Sequence, residues 1–248
     1  MRRLLLVLLV WLVTGRLEAA VAIESLTESV RTDTSDPYTF SCASSVGSPE
    51  GVVVTAVHGV SSTDHVVGIT YGGNALARAQ TNTDTSTEPG RSDVWWDGTS
   101  IATGTSVTVS VDLASATTDD IHFVCITLTG SADINLVDAD GINENVANPS
   151  VTLQYGGRAS VAIAALYGGG ADGTAFTPNA NCTTAHDHDL GAFYAEVIYQ
   201  TTPGTSDFAI GGTSATDDVA FAAAAFSDEA ITAVVKDVIG SGRVPAPR

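Results

Sequence analysis

Apolar and polar residues alternate with a period of two along most of this chain, in short runs bounded by Gly, Ser, Thr and Asp. That period predicts strands with one buried face. Ser106-Val107-Thr108-Val109-Ser110-Val111 alternates most regularly, and Tyr38-Thr39-Phe40-Ser41-Cys42 reads as a first strand. Gly51 to Val57 is a β-branched run and Ile121 to Leu128 is nearly continuously apolar, the pattern of buried strands. Val66 to Tyr71 runs into Gly72-Gly73-Asn74, a turn cluster that tolerates positive φ, with Ala75 to Ala79 as the returning arm. Asp93-Val94-Trp95-Trp96 predicts a strand with one Trp in the core and the other facing out. Three polar stretches read differently: Ile23 to Pro37 as a lead-in segment, Gln80 to Arg91 as a loop, and Gly130 to Ser150 as a long loop or extra hairpin.

The pattern occurs twice. Gly104-Thr105-Ser106 and its strand precede Thr118-Asp119-Asp120 and an apolar strand; Gly204-Thr205-Ser206 and its strand precede Thr216-Asp217-Asp218 and another. Ser160 to Leu166 corresponds to Val52 to Val57, Phe193 to Tyr199 to the Trp95-Trp96 strand, and Phe221 to Phe226 to Phe123 to Leu128. With about four strands in each pseudo-repeat (about 40–130 and 151–227) and no Pro/Gly/Ser-rich linker, the expectation is an all-β fold. It would be a single antiparallel β-sandwich over 23–227, with one core shared by both repeats. Residues 228–248 would form a short C-terminal helix and tail. Ser227 would cap that helix, Ile231, Val234, Val235, Val238 and Ile239 would form its apolar stripe, and Gly240 would stop it. The stripe would pack on the sandwich or on a neighbouring subunit.

Charge narrows the partners. The 248 residues carry a formal charge of −18, with Lys236 the single lysine, so nucleic-acid backbone and anionic membrane surfaces are poor partners. Residues 1–22 read as a signal peptide: Met1-Arg2-Arg3 is basic, Leu4 to Val13 is apolar, and Ala20-Val21-Ala22 offers a small-residue cleavage site. Export is the expectation, with membrane association only if that segment is retained. Three cysteines, Cys42, Cys125 and Cys182, allow one disulfide plus a free thiol, or none, and leave the pairing open.

Candidate chemistry is sparse. His186-Asp187-His188-Asp189 would put two imidazoles on one strand face within reach of a metal, with further ligands needed from elsewhere, such as Asp119, Asp120 or Glu196. His58, His65 and His122 stand alone and read as structural. Asp138-Ala139-Asp140-Gly141-Ile142-Asn143-Glu144 is similar to part of a calcium loop but lacks an acid at Leu136. Trp95/Trp96 could form a carbohydrate-stacking platform. The pairs Asp119-Asp120 and Asp217-Asp218 recur at matching turns, which favours a turn role over a glycosidase pair. No nucleophile elbow, Walker, H-E-x-x-H or dinucleotide pattern is present. No residue is assigned as catalytic, cofactor-binding or metal-ligating; calcium stays a minor possibility.

Val66 to Leu76, with its Ile69-Thr70-Tyr71-Gly72-Gly73 core, then Val94-Trp95-Trp96, then Gly104 to Val109, resembles a recurrent domain of exported bacterial and phage-associated proteins. The likeness extends in order over about 40–227 and implies a jelly-roll-like sandwich found in surface and virion-exterior proteins. The acidic 131–148 stretch and the C-terminal segment depart from it. The expected function is therefore a non-catalytic structural or assembly subunit on a cell surface, filament or virion exterior, acting through self-association or other surface proteins. A secreted glycan-binding or adhesion module is the alternative, and a polysaccharide-acting enzyme comes third.

Overall fold

The buried runs become the inner strands of two large sheets. A computed structural model describes residues 21–228, except 33, 60, 62, 86–87, 115–119, 131–132, 144–147, 155–159, 170–175, 192, 203–206 and 215–217. Its first half holds β1 (Ala22–Arg31), β2 (Tyr38–Ala43), β3 (Gly51–His58), β4 (Val66–Tyr71), β5 (Asn74–Ala75), β6 (Ala77–Asp84), β7 (Gly90–Asp97), β8 (Ser106–Leu113) and β9 (Ile121–Thr129). The second holds β10 (Asn135–Asn143), β11 (Ser150–Leu153), β12 (Ser160–Gly169), β13 (Thr177–Pro178), β14 (Thr183–Asp189), β15 (Phe193–Thr202), β16 (Phe208–Thr213) and β17 (Val219–Ser227). The fold is all-β and its ladders are antiparallel; among the described residues there is no helix. The C-terminal helix expected over 228–248 lies outside the described residues beyond Asp228, and Ser227 itself ends β17.

Four sheets stack in sandwich-like fashion. The large ones run β1-β9-β3-β7-β6 and β10-β17-β12-β15-β14; the smaller ones run β2-β8-β4-β5 and β11-β16-β13. Strand by strand, the order of the second half is that of the first, and the segments aligned in the sequence take corresponding places. A single shared core is corrected to three. Alternation on β3 sends Val52, Val54 and Ala56 to a core with β2, β4 and β8, while Val53 and Val57 enter a central core with the second half. A third core lies between β12, β15 and β17 and the small sheet carrying β11 and β16. The inner strands are covered on both faces, which is why they read as continuous apolar runs.

In the central core the two large sheets meet face to face, and small residues receive large ones. Alanines 220, 222 and 224 of β17 line this core, and Trp96 reaches Phe226 with ring centroids 5.9 Å apart. A Cβ at Gly90 would collide with the Tyr167 ring, and one at Gly59 with the Phe193 ring, so both positions require glycine for close approach. The expectation that one Trp faces outward is therefore corrected: Trp95 lies in the first-half core and Trp96 against the central one. The alanine-rich β17, weak in β-propensity, is held as a strand by layers packed on both sides.

The polar segments correct the sequence reading in a consistent way. Ile23–Pro37 contributes β1, Gln80–Arg91 holds the end of β6 and the start of β7, and Gly130–Ser150 contributes β10. β1, β6, β10 and β14 are the outermost strands of the large sheets. An edge strand packs on one side and hydrogen-bonds to a single neighbour, so its sequence carries a weak apolar signal. Gly72 and Gly73 form the expected turn, with φ of 59° and 88°, but the returning arm is only β5, and the chain crosses at Ala77 into the large sheet.

Candidate metal centre and buried carboxylates

Two strands bring three imidazoles to one carboxylate on a third. β1, an edge strand, presents Glu28, and β9 beside it supplies His122. The edge strand of the other large sheet, β14, supplies His186 and His188. A bulge between Thr184 and His186 sets their phase. The turn after Asp189 is held by Gly191 at φ 78° and by its N–H donating to Asp189 Oδ1 at 2.7 Å. His122 Nε2 lies 3.0 Å from Glu28 Oε1, His188 Nδ1 lies 3.0 Å from the same oxygen, and His186 Nε2 lies 2.5 Å from Oε2. The His122 ring stacks on His188 with centroids 5.6 Å apart and meets His186 edge-on at 5.4 Å. The cluster bridges the rim of the two large sheets: His122 is fully buried, while Glu28 is 27 % and His188 38 % exposed. Burial pushes the His122 pKa down to about 4, helped by His186 and His188 and opposed by Glu28, which keeps the ring neutral at physiological pH.

The histidine pair therefore meets two partners that the sequence did not single out. His122, read as isolated, is one, and Glu28, assigned to a lead-in segment, is the other. The partners considered for them lie elsewhere. Asp120 sits just before β9, Asp119 is outside the described residues, and Glu196 points to the opposite face of β15, into the third core beside Tyr194. Only the i, i+2 spacing of His186 and His188 was a usable signal, because Glu28 and His122 are joined to it by sheet stacking.

Glu196 and Asp93 form the other chemical feature. Both are buried, at 1 % and 0 % exposure. Thr184 Oγ1 donates to Glu196 Oε1 at 2.9 Å and Tyr194 O–H lies 3.4 Å from Oε2. Burial raises the Glu196 pKa to about 7 against those two hydrogen bonds, and the charge of Asp187 adds to the rise. Around Asp93, Arg91 Nε donates to Oδ1 at 3.2 Å, His58 Nε2 lies 3.4 Å from Oδ2, and Arg78 Nε lies 3.9 Å from Oδ1. Asp64 closes the network through Arg78 Nη1 at 2.6 Å and Arg91 Nη2 at 3.1 Å, and the Arg78 guanidinium sits 4.3 Å over the Trp95 ring. Burial alone would raise Asp93; His58, Arg91 and Thr81 outweigh it and hold its carboxyl below the ordinary range.

The remaining candidates resolve as packing or as strand. Cys42 and Cys125 form a disulfide, S–S 2.10 Å, that ties β2 to β9 across the first-half core; Cys182 is free. Asp138 to Asn143 lies in extended β10 and does not wrap as a calcium loop, and Glu144 is outside the described residues. Asp138 instead accepts the N–H of Ala139 at 2.9 Å and of Gln154 at 2.6 Å. No protein family, curated protein or solved structure matches the chain, so the site is read from its geometry.

Proposed function

We propose that this chain is a non-catalytic structural or assembly subunit, displayed on a cell surface, an extracellular filament or a virion exterior, and built as two jelly rolls in tandem. One observation carries the reading. The strands β1-β9-β3-β7 face β2-β8-β4-β5, an eight-strand, two-sheet arrangement that supports a jelly-roll reading, and β6 extends the first sheet. The matching order β10-β17-β12-β15 over β11-β16-β13 supports an internal repeat of that unit. Jelly rolls of this kind serve in capsid and lectin domains, where they work by contact. The Cys42–Cys125 disulfide is in keeping with an oxidising, extracellular setting. Its partners on this reading are further copies of itself or other surface proteins. A glycan-binding role draws less support, because the Trp95/Trp96 platform proposed for it faces the cores.

The test is the solution state of the mature chain. Size-exclusion chromatography with light scattering, and electron microscopy of native material, should show an ordered assembly. A strictly monomeric protein that turns over a polysaccharide would overturn the proposal.

A further inference from the structure

We propose that Glu28, His122, His186 and His188 bind one zinc ion, which clamps the first half of the molecule to the second.

The donor set points to the ion. Three imidazole nitrogens and one carboxylate oxygen suit a borderline transition metal of the zinc class, whereas calcium and magnesium require oxygen ligands. The spacing fits as well. Atoms bound to one tetrahedral zinc at about 2.0–2.1 Å lie roughly 3.3 Å apart. Here the nitrogen-to-oxygen separations are 2.5, 3.0 and 3.0 Å, and the donor atoms of Glu28, His122 and His188 all lie within 4.8 Å of one another. His186, on the second carboxylate oxygen, completes a four-ligand set, which leaves no open position and marks a structural site.

The orientation of the rings supplies a second argument. His186 Nδ1 lies 3.3 Å from the Asp187 carbonyl and donates to it. Its Nε2 faces the second oxygen of Glu28, 2.5 Å away. On the buried His122, Nε2 faces Glu28, while Nδ1 has no hydrogen-bond partner among the described residues. A cation between the nitrogens and the carboxylate would take Nε2 of His122, Nε2 of His186 and Nδ1 of His188 as ligands. The ring N–H that donates to Asp187 is then the outer hydrogen bond that orients a metal-bound histidine.

The ligands come from β1 and β9 of one half and β14 of the other, so the site is complete only when the large sheets are docked. Zinc should therefore stabilise the docked molecule in proportion to its free concentration. The inference does not depend on whether the chain assembles.

The experiment uses the full mature chain, stripped with a chelator and titrated with Zn²⁺ by calorimetry and thermal melting. Co²⁺ serves as the spectroscopic probe. One ion per chain, a melting temperature that climbs with free Zn²⁺, and the visible bands of tetrahedral cobalt are expected. His188→Ala and Glu28→Gln should each weaken binding by on the order of 100-fold, since losing outer-shell partners alone costs about 10–100-fold. Asp187→Ala should still bind one ion. If His188→Ala does not fold, the isosteric Glu28→Gln decides. Absence of Zn²⁺ and Co²⁺ binding at micromolar concentration, or binding untouched by Glu28→Gln, would overturn the site.

Discussion

Asp93 and Glu196 occupy the same place in the two halves. Setting Phe123 level with Phe221, the registers carry Asp93 of β7 onto Glu196 of β15, Arg78 onto Thr184 and Arg91 onto Tyr194. His58 falls on Gly168, which has no side chain to offer. One buried carboxylate is thus surrounded by cations and stays ionised; its counterpart is surrounded by hydroxyls and titrates near neutrality. The rim shows the same kind of divergence. Glu28, His122, His186 and His188 correspond to Gly141, Ala220, Gln80 and Asn82, where the Asn82 carboxamide packs directly against Gly141. The backbone plan tolerates either solution at each place. What cannot vary independently is the set of partners, because a buried charge is stable only when the whole group that satisfies it is present.

The widest difference between the halves is the disulfide, since the counterpart of Cys125 is Ala223. Replacing Cys42 and Cys125 together by Ala releases a loop of 83 residues and should cost about 4–5 kcal/mol by loop-closure entropy. Denaturant unfolding of the oxidised wild type against the variant measures it, and an unchanged midpoint would show that the core alone holds β2 on β9.

Neutralising the two equivalent carboxylates should have opposite effects. Asp93→Asn removes the buried carboxylate that Arg91, Arg78 and His58 face, leaving Arg91 with Asp64 alone, and should destabilise by roughly 3–5 kcal/mol. Glu196→Gln should stabilise at pH 8. The folded pKa near 7 lies above the ordinary 4.5, so this group's contribution is intact below pH 4.5 and is lost as pH rises through 7. At about 1.4 kcal/mol per pKa unit the loss is on the order of 3–4 kcal/mol. Urea midpoints across pH 4 to 9 should fall for wild type over that window and stay flatter for the variant; parallel curves would mean that Glu196 is not held protonated. The smallest effect is expected at the junction of the halves. Gly90→Ala pushes a methyl into the Tyr167 ring, and overpacking of this kind costs about 1–3 kcal/mol. Val57, the counterpart of Tyr167, has no such glycine opposite it, so Val57→Ala should instead show the cavity behaviour of an ordinary core site in the same melting assay.

The inner strands were legible because burial on both faces leaves a continuous apolar record, as at Val52 to Val57 and Val161 to Leu166. The turn at Gly72-Gly73 was legible because positive φ selects glycine. Alternation at Trp95-Trp96 correctly placed the two rings on opposite faces. It could not tell that a second sheet covered each face, since stacking order leaves no trace in a single strand. The edge strands were obscure for the opposite reason: Thr27, Glu28 and Ser29 lie in a strand whose polar side chains serve partners far along the chain. His122 is one residue in an apolar run, and its meaning depends on β14, which reaches it only through the docking of two sheets. The candidate site was thus half visible, as His186 and His188, and half hidden in a contact between layers.

Each half closes by pairing its first strand with its last: Ala22 lies opposite Thr129, and Asn135 opposite Ser227. A chain emerging from its N-terminus can complete the first half only after β9 is made, and the inner face bearing Val53, Val57 and Val94 then waits for β12 and β17. Sequence-distant pairing of this kind is slow, and an uncovered apolar sheet is prone to wrong partners. Folding of this molecule is therefore tied to the order of synthesis, and truncation between Thr129 and Phe226 leaves a finished first half with an unfinished face.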